Sequence, residues 1–247
     1  MAVVDRIRNR VAVRSRLRTA SFDSPAVARL RRRRHVIVLG DSHTLVFRDW
    51  RPDGWWFDVV TVGGATASGI RNPNSVTEAL PRFRARLART MPWQPVMVML
   101  GEVDCGYIIW RRARSESISV QDSLRETLDR YTEFLRDEVA RGRPVMVMSV
   151  PLPTLPDDSS SLGKTAQRRA DVQVSQRDRT EMTLRFNRLV SELCDAEGWT
   201  FVDSTSGQLD PATGFVRGDL VRHGSGDHHL RDEPYRALIA RALGIRA

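Results

Sequence analysis

From His35 onward the chain alternates short apolar runs with longer stretches of helical periodicity. Val36–Leu39, Phe57–Val62, Val96–Leu100, Val145–Val150 and Thr200–Val202 are rich in β-branched residues or methionine and lack polar alternation, the pattern of strands buried on both faces. Val76–Arg89, Val120–Arg141, Ser175–Ala196 and Glu233–Leu243 carry apolar residues at helical spacing and predict helices. Five strands joined by crossover helices predict an α/β fold, a three-layer α/β/α sandwich around a central, mainly parallel five-stranded sheet. Pro151 to Lys164 predicts a long loop after the fourth strand, a common place for an active-site covering. Ligands of such sheets bind at the carboxyl ends of the strands, so the residues that follow each strand carry the functional information.

Charge divides the chain in two. Of the net +9, all falls within Met1 to Arg34, where eleven arginines face only Asp5 and Asp23, and the remaining 213 residues balance 28 basic against 28 acidic groups. The expected organisation is an arginine-rich, disordered extension over residues 1–34 and one domain over 35–247, since the composition of the first segment does not favour a packed core. A balanced body excludes a uniformly cationic domain that coats nucleic acid. Val4, Ile7, Val11 and Leu17 fall at near-helical spacing among the arginines, so the extension has the pattern of a basic helix that could contact an anionic surface. Arginines at positions 6, 8, 10, 14, 16 and 18 interrupt any secretory apolar core. No stretch approaches the roughly 18 consecutive apolar residues of a membrane span. Two cysteines, Cys105 and Cys194, make no disulfide framework and fit a reducing compartment, so a cytoplasmic protein is expected.

Candidate chemistry lies where the strand pattern directs attention. Strand one runs into Gly40-Asp41-Ser42-His43, a glycine turn that delivers a serine to the start of a helical pattern, with backbone N–H groups aimed at whatever reacts there. The same string also reads as a helix cap. Gly63-Gly64 after strand two allows backbone N–H groups to approach an oxyanion, or makes a plain turn. Gly101-Glu102-Val103-Asp104-Cys105 puts two carboxylates at the end of a core strand, where charge is costly unless it is paired or used. Three of the five histidines, His223, His228 and His229, lie within seven residues beside Asp227. An imidazole can take the serine proton while an aspartate holds its tautomer. Trp55, Trp56 and Trp110 near strand ends are candidates for sugar stacking, against the commoner role of core packing.

The order of these blocks resembles the SGNH/GDSL hydrolase superfamily, over about residues 35 to 243. The resemblance implies a flavodoxin-like sandwich and a serine hydrolase, an esterase, deacetylase or acyltransferase acting on an ester, that needs no metal or other cofactor. It implies Ser42 as nucleophile and His229 as base, with Asp227 as the acid that orients it. It further implies an oxyanion hole built on the N–H groups of Ser42 and Gly64, with Asp41, His43, Glu102, Asp104 and His228 around the substrate, and a small-molecule or carbohydrate ester as partner. Two departures stand out. Val103 occupies the place of the asparagine in the family's Gly-x-Asn-Asp block, and Asp227 stands one residue closer to His229 than the family's Asp-x-x-His, with Gly226 at the usual aspartate position. The strings Gly-Asp-Ser-His, Gly-Glu-x-Asp-Cys and Asp-His-His-Leu are similar to those of a divergent bacterial subgroup met near polysaccharide biosynthesis. Asn187 could supply an amide, although its helix position favours a structural role.

Two other functions fit the same residues. A metal-dependent phosphoesterase would gather Asp41, His43, Glu102, Asp104, Asp227 and His228 or His229 around one or two ions. A non-catalytic domain that binds a glycan or protein would account for the missing asparagine and the displaced aspartate.

Overall fold

The computed structural model describes residues 33–157, 171–222 and 226–245, so the extension before residue 33, residues 158–164 of the predicted covering loop, and His223 lie outside the described residues. Five strands, β1 (Arg34–Gly40), β2 (Trp55–Thr61), β3 (Val96–Met99), β4 (Val145–Met148) and β5 (Thr200–Val202), form one sheet in the order β2-β1-β3-β4-β5, and every pairing is parallel. The first residue of β1, Arg34, falls on the extension side of the boundary drawn from charge, where it pairs with Trp55.

The two faces of the sheet can be read from the strands themselves. β3 and β4 are the same tetrapeptide, Val-Met-Val-Met, and they pair in register, Val96 with Val145, Met97 with Met146 and Val98 with Val147. Side chains alternate along a strand, so the valines join one core with Ile37 and Leu39, and the methionines join another with Val36 and Val38. Among the described residues five α-helices cover these faces: α1 (Ala79–Leu87), α2 (Ile109–Ser115), α3 (Val120–Phe134), α4 (Gln176–Glu197) and α5 (Asp232–Leu243). Phe83 of α1, Ile109 of α2, Tyr131 and Phe134 of α3 and Phe186 of α4 pack on the valine side; Tyr235, Leu238 and Ile239 of α5 pack on the methionine side with Phe47. The structure is thus a three-layer α/β/α sandwich.

Local signals set the helix bounds. The Ser119 hydroxyl accepts from the Asp122 N–H to open α3, and Ser175 and Asp178 form a reciprocal capping box at the start of α4, which ends at Gly198 in the left-handed region, φ 68°. The segment predicted as one helix, Val120–Arg141, changes to π-helical hydrogen bonding over Leu135–Ala140. A further helical stretch unmarked by the apolar pattern runs from a π-helical turn at Asp104–Ile108 into α2. Trp55 and Trp56 begin β2 and so lie at the amino end of the sheet; Trp55 is in contact with Phe57 and Arg34, and Trp56 stacks on His35. That end is opposite the carboxyl ends where a ligand would sit, which removes both from the candidate sugar platforms. Among the described residues no helix is long and apolar enough to cross a membrane.

Candidate functional site

The carboxyl ends of β1 and β3 adjoin at the point where the strand order reverses, and there the chain leaves β1 through Gly40. A Cβ on Gly40 would lie 2.1 Å from the Met99 carbonyl oxygen, so only glycine lets β1 and β3 approach this closely. The turn that follows is locked from both sides: Asp41 N–H donates to the Met99 carbonyl at 3.3 Å, and Val62 N–H donates to the Gly40 carbonyl at 2.9 Å. Asp41 then caps a 3-10 helix, Ser42–Phe47, by accepting the His43 N–H at 2.9 Å. Ser42 is therefore presented, half-buried, as the first residue of a helix at the sheet's carboxyl edge.

The C-terminal segment comes to meet it. Leu230 is buried in the methionine-side core, Arg231 N–H donates to the Leu220 carbonyl at 2.8 Å, and Arg222 donates to the Leu230 carbonyl at 3.1 Å. The Arg236 guanidinium of α5 donates to the carbonyls of Val46 and Arg48 at 2.8 and 2.9 Å, binding the closing helix to the 3-10 helix. These anchors set the His229 imidazole over Ser42, with Nε2 2.8 Å from the serine Oγ. His229 Nδ1 is 2.5 Å from Asp227 Oδ1, and that same oxygen accepts the His229 backbone N–H at 3.0 Å. A carboxylate only accepts, so Nδ1 carries the proton and Nε2 offers its lone pair to the serine hydroxyl. The aspartate that stands one residue nearer than the family spacing reaches the ring directly, and Gly226 before it takes the left-handed region at φ 62°.

Protonation follows from the surroundings. Burial is the largest influence on His229 and pushes its pKa below the ordinary imidazole value, helped by the charge of His43 and opposed by Asp227 and Glu102. Burial pushes Asp227 upward most strongly of any single influence, but the two bonds from His229 and the charges of His229 and Arg222 outweigh it, and the pKa falls below the usual carboxylate value. The pair therefore holds an anionic carboxylate beside a neutral imidazole, the state a general base requires.

The other expected residues divide. His43 is buried, with Nδ1 3.2 Å from Asp41 Oδ1, and its ring centroid is 4.6 Å from that of His229 and 5.2 Å from that of His228. His228 stacks obliquely on His229 at 4.2 Å, so of the two neighbours it is His229 that faces the serine. Buried Glu102 is near enough for its charge to raise the pKa of His229. Gly64 lies in the exposed turn after β2, which is closed by Ala65 N–H donating to the Val62 carbonyl at 3.1 Å. Asp104 is turned elsewhere. Its oxygens accept from the Ala67 N–H at 2.7 Å, the Ser68 N–H at 3.1 Å and the Ser68 hydroxyl at 2.5 Å. Burial pushes the Asp104 pKa up against these three bonds. It thus pins the loop that follows Gly64, so that of the residues read as possible ion ligands Asp104 is spent on backbone and hydroxyl donors. Asn187 is also structural: its amide bonds both backbone groups of Val150 and the Thr205 hydroxyl, holding together the chain beyond β4 and β5. Sequence reasoning missed Arg222, whose guanidinium lies 3.6 Å from Asp227 Oδ2.

The sequence matches no protein-family profile and no curated protein at a significant level. The fold is nevertheless similar to those of a solved acylhydrolase, a carbohydrate acetylesterase and a GDSL-like lipase. An assigned acylhydrolase of Bacteroides fragilis aligns over 85% of this chain and 85% of its own with a TM-score of 0.54 at 13% identity. Est24, a carbohydrate acetylesterase from Sinorhizobium meliloti, aligns over 86% and 98% with a TM-score of 0.52 at 16% identity. A GDSL-like lipase from Bacteroides thetaiotaomicron aligns over 85% and 86% with a TM-score of 0.50 at 13% identity. At such identities the likeness is one of fold: the chain shares their α/β/α sandwich.

Proposed function

We propose that the protein is a serine hydrolase of the SGNH/GDSL type that cleaves esters, with an O-acyl group on a carbohydrate as its substrate class. The observation that carries this reading is the hydrogen-bonded line from Ser42 Oγ through His229 to Asp227, at 2.8 and 2.5 Å, made by residues from opposite ends of the chain. Ser42 Oγ attacks the ester carbonyl as its proton passes to His229 Nε2, and the developing oxyanion is held by the backbone N–H groups of Ser42 and Gly64. The imidazolium, stabilised by Asp227, returns that proton to the departing alcohol. Water, deprotonated by the same nitrogen, then releases the acid and restores Ser42. Asp41 and His43 shape the turn that carries Ser42, Glu102 and His228 border the same pocket of charge, and Asp104 keeps the Gly64 loop in position.

The carbohydrate part of the reading draws on the fold shared with the carbohydrate acetylesterase Est24. The domain responsible begins with β1 at Arg34, one residue before the boundary drawn from charge, with the rest of the arginine-rich segment outside it. The two buried cysteines, Cys105 and Cys194, are not joined in a disulfide and suit a reducing compartment, and the cytoplasm is the proposed location.

Ser42→Ala is expected to abolish turnover of p-nitrophenyl acetate with an unchanged thermal unfolding transition, and a fluorophosphonate probe should label the wild type but not this variant. Wild-type protein that is inert on a broad panel of acyl esters and unlabelled by the probe overturns the reading.

A further inference from the structure

Ser42 is bordered by more imidazole than a triad uses. His43, His228 and His229 each offer one ligand atom, and the three atoms lie within 4.8 Å of one another. Two of these rings are held by the same device. In Asp41-Ser42-His43 the aspartate Oδ1 accepts the N–H of the residue two ahead at 2.9 Å and its Nδ1 at 3.2 Å; in Asp227-His228-His229 the same pair of contacts measures 3.0 and 2.5 Å. A carboxylate on Nδ1 fixes the tautomer, raises the basicity of Nε2 and aims it, and this is the outer-shell arrangement that orients metal-bound histidines. One such turn serves the triad, and the second has no part in moving the serine proton.

We propose that His43, His228 and His229 form a binding site for a borderline first-row divalent cation such as Zn²⁺, and that its occupation switches the esterase off. The second half rests on the proposed hydrolase reading; the first does not. Imidazole nitrogens select zinc, copper or nickel over magnesium and calcium, and three histidines with an open fourth position are a common zinc arrangement. Here the fourth position falls to water or to Ser42 Oγ, which already lies 2.8 Å from His229 Nε2. The surroundings favour a dication, since Asp41 and Asp227 each contact a ligand ring and the negative charge of Glu102 reaches His229. Zinc–nitrogen bonds of about 2.0–2.1 Å put tetrahedral ligands roughly 3.4 Å apart. The three rings must therefore draw in by about an ångström, which His228 and His229, both only partly buried, can do by rotation. A cation on His229 Nε2 takes the lone pair that Ser42 needs, so the base is lost while the cation stays.

The test is a zinc titration of chelator-stripped protein against a chromophoric indicator of micromolar affinity, made on the wild type and on Ser42→Ala. One zinc per chain is expected in both. Asp41→Asn, which removes the charge that aims His43, should weaken zinc binding by about 10–100-fold, and His43→Gln and His228→Gln by at least as much. Because His43 is buried, the partly exposed His228 supplies the variant least exposed to misfolding. Zinc should also inhibit p-nitrophenyl acetate turnover reversibly with EDTA, and the zinc concentration that halves turnover should rise in His228→Gln in step with the affinity. No binding in the indicator's range, or one-to-one binding that ignores both histidine substitutions, overturns the site, and turnover that rises with zinc overturns the switch. A protein inert to esters that still binds zinc through these histidines upholds the site and overturns the hydrolase reading.

Discussion

Replacing Asp227 by asparagine tests the triad at its least conventional member. The aspartate sits two residues before His229, and its Oδ1 receives both the backbone N–H and Nδ1–H of that residue. In Asp227→Asn the carbonyl oxygen can keep only part of this, and an amide nitrogen turned to the ring stabilises the tautomer with its proton on Nε2, which cannot accept from Ser42. The same exchange in a buried serine-protease triad costs about 10⁴ in turnover. Asp227 is 34% exposed, so water can partly replace the lost charge, and the expected loss in kcat/KM is nearer 10³, roughly 4 kcal/mol at about 1.36 kcal/mol per decade. Asp227→Ala, which lets water take the oxygen's place without enforcing the wrong tautomer, should be less damaging than asparagine. Hydrolysis of p-nitrophenyl acetate measures both, with urea unfolding to show that the fold survives. A loss below tenfold in Asp227→Asn, with the fold intact, would mean that the carboxylate neither orients nor stabilises the imidazole.

The protonation of His229 makes a second prediction. Protonated imidazole cannot accept from Ser42, so kcat/KM should fall as pH drops through a His229 pKa that lies below the usual 6.5, and His43→Gln, by removing a neighbouring positive charge, should move that acid limb to higher pH. An unshifted limb refutes the electrostatic coupling of the two rings. Asp104→Ala leaves the buried N–H groups of Ala67 and Ser68 without their acceptor, at about 1–3 kcal/mol each, so urea unfolding should show a stability loss of a few kcal/mol with slower turnover as the Gly64 loop loosens. Val103→Asn returns an amide to the place where the family carries its third oxyanion donor; one such donor is worth about 10²–10³ in rate, and no gain in kcat would mean that another group already serves the oxyanion.

The sheet was legible because its strands carry no polar alternation. Val-Met-Val-Met at 96–99 and 145–148 is apolar on both faces, which only a covered parallel strand can satisfy, and Thr200–Val202 kept its bounds. The stretch Asp104–Ser115 was not legible as helix, since it opens with a π-helical turn whose hydrogen bonding breaks the 3.6-residue period on which recognition depends. The role of Asp104 was hidden for a different reason. A carboxylate at a strand end looks the same whether it meets substrate or backbone, and its donors at Ala67 and Ser68 come from 37 and 36 residues earlier. Asp227 was legible by a route that family spacing obscured. Counting back from His229 by the family interval lands on Gly226, but the local rule is shorter: an aspartate two residues before a histidine can accept both that residue's N–H and its Nδ1. The chain follows this rule at both ends, in Asp41-Ser42-His43 and Asp227-His228-His229. The shared Asp-x-His spacing was thus the signal for which rings would be held by carboxylates, and the fold, by setting β1 beside β3 and tying α5 to the 3-10 helix, decides that the two held rings meet.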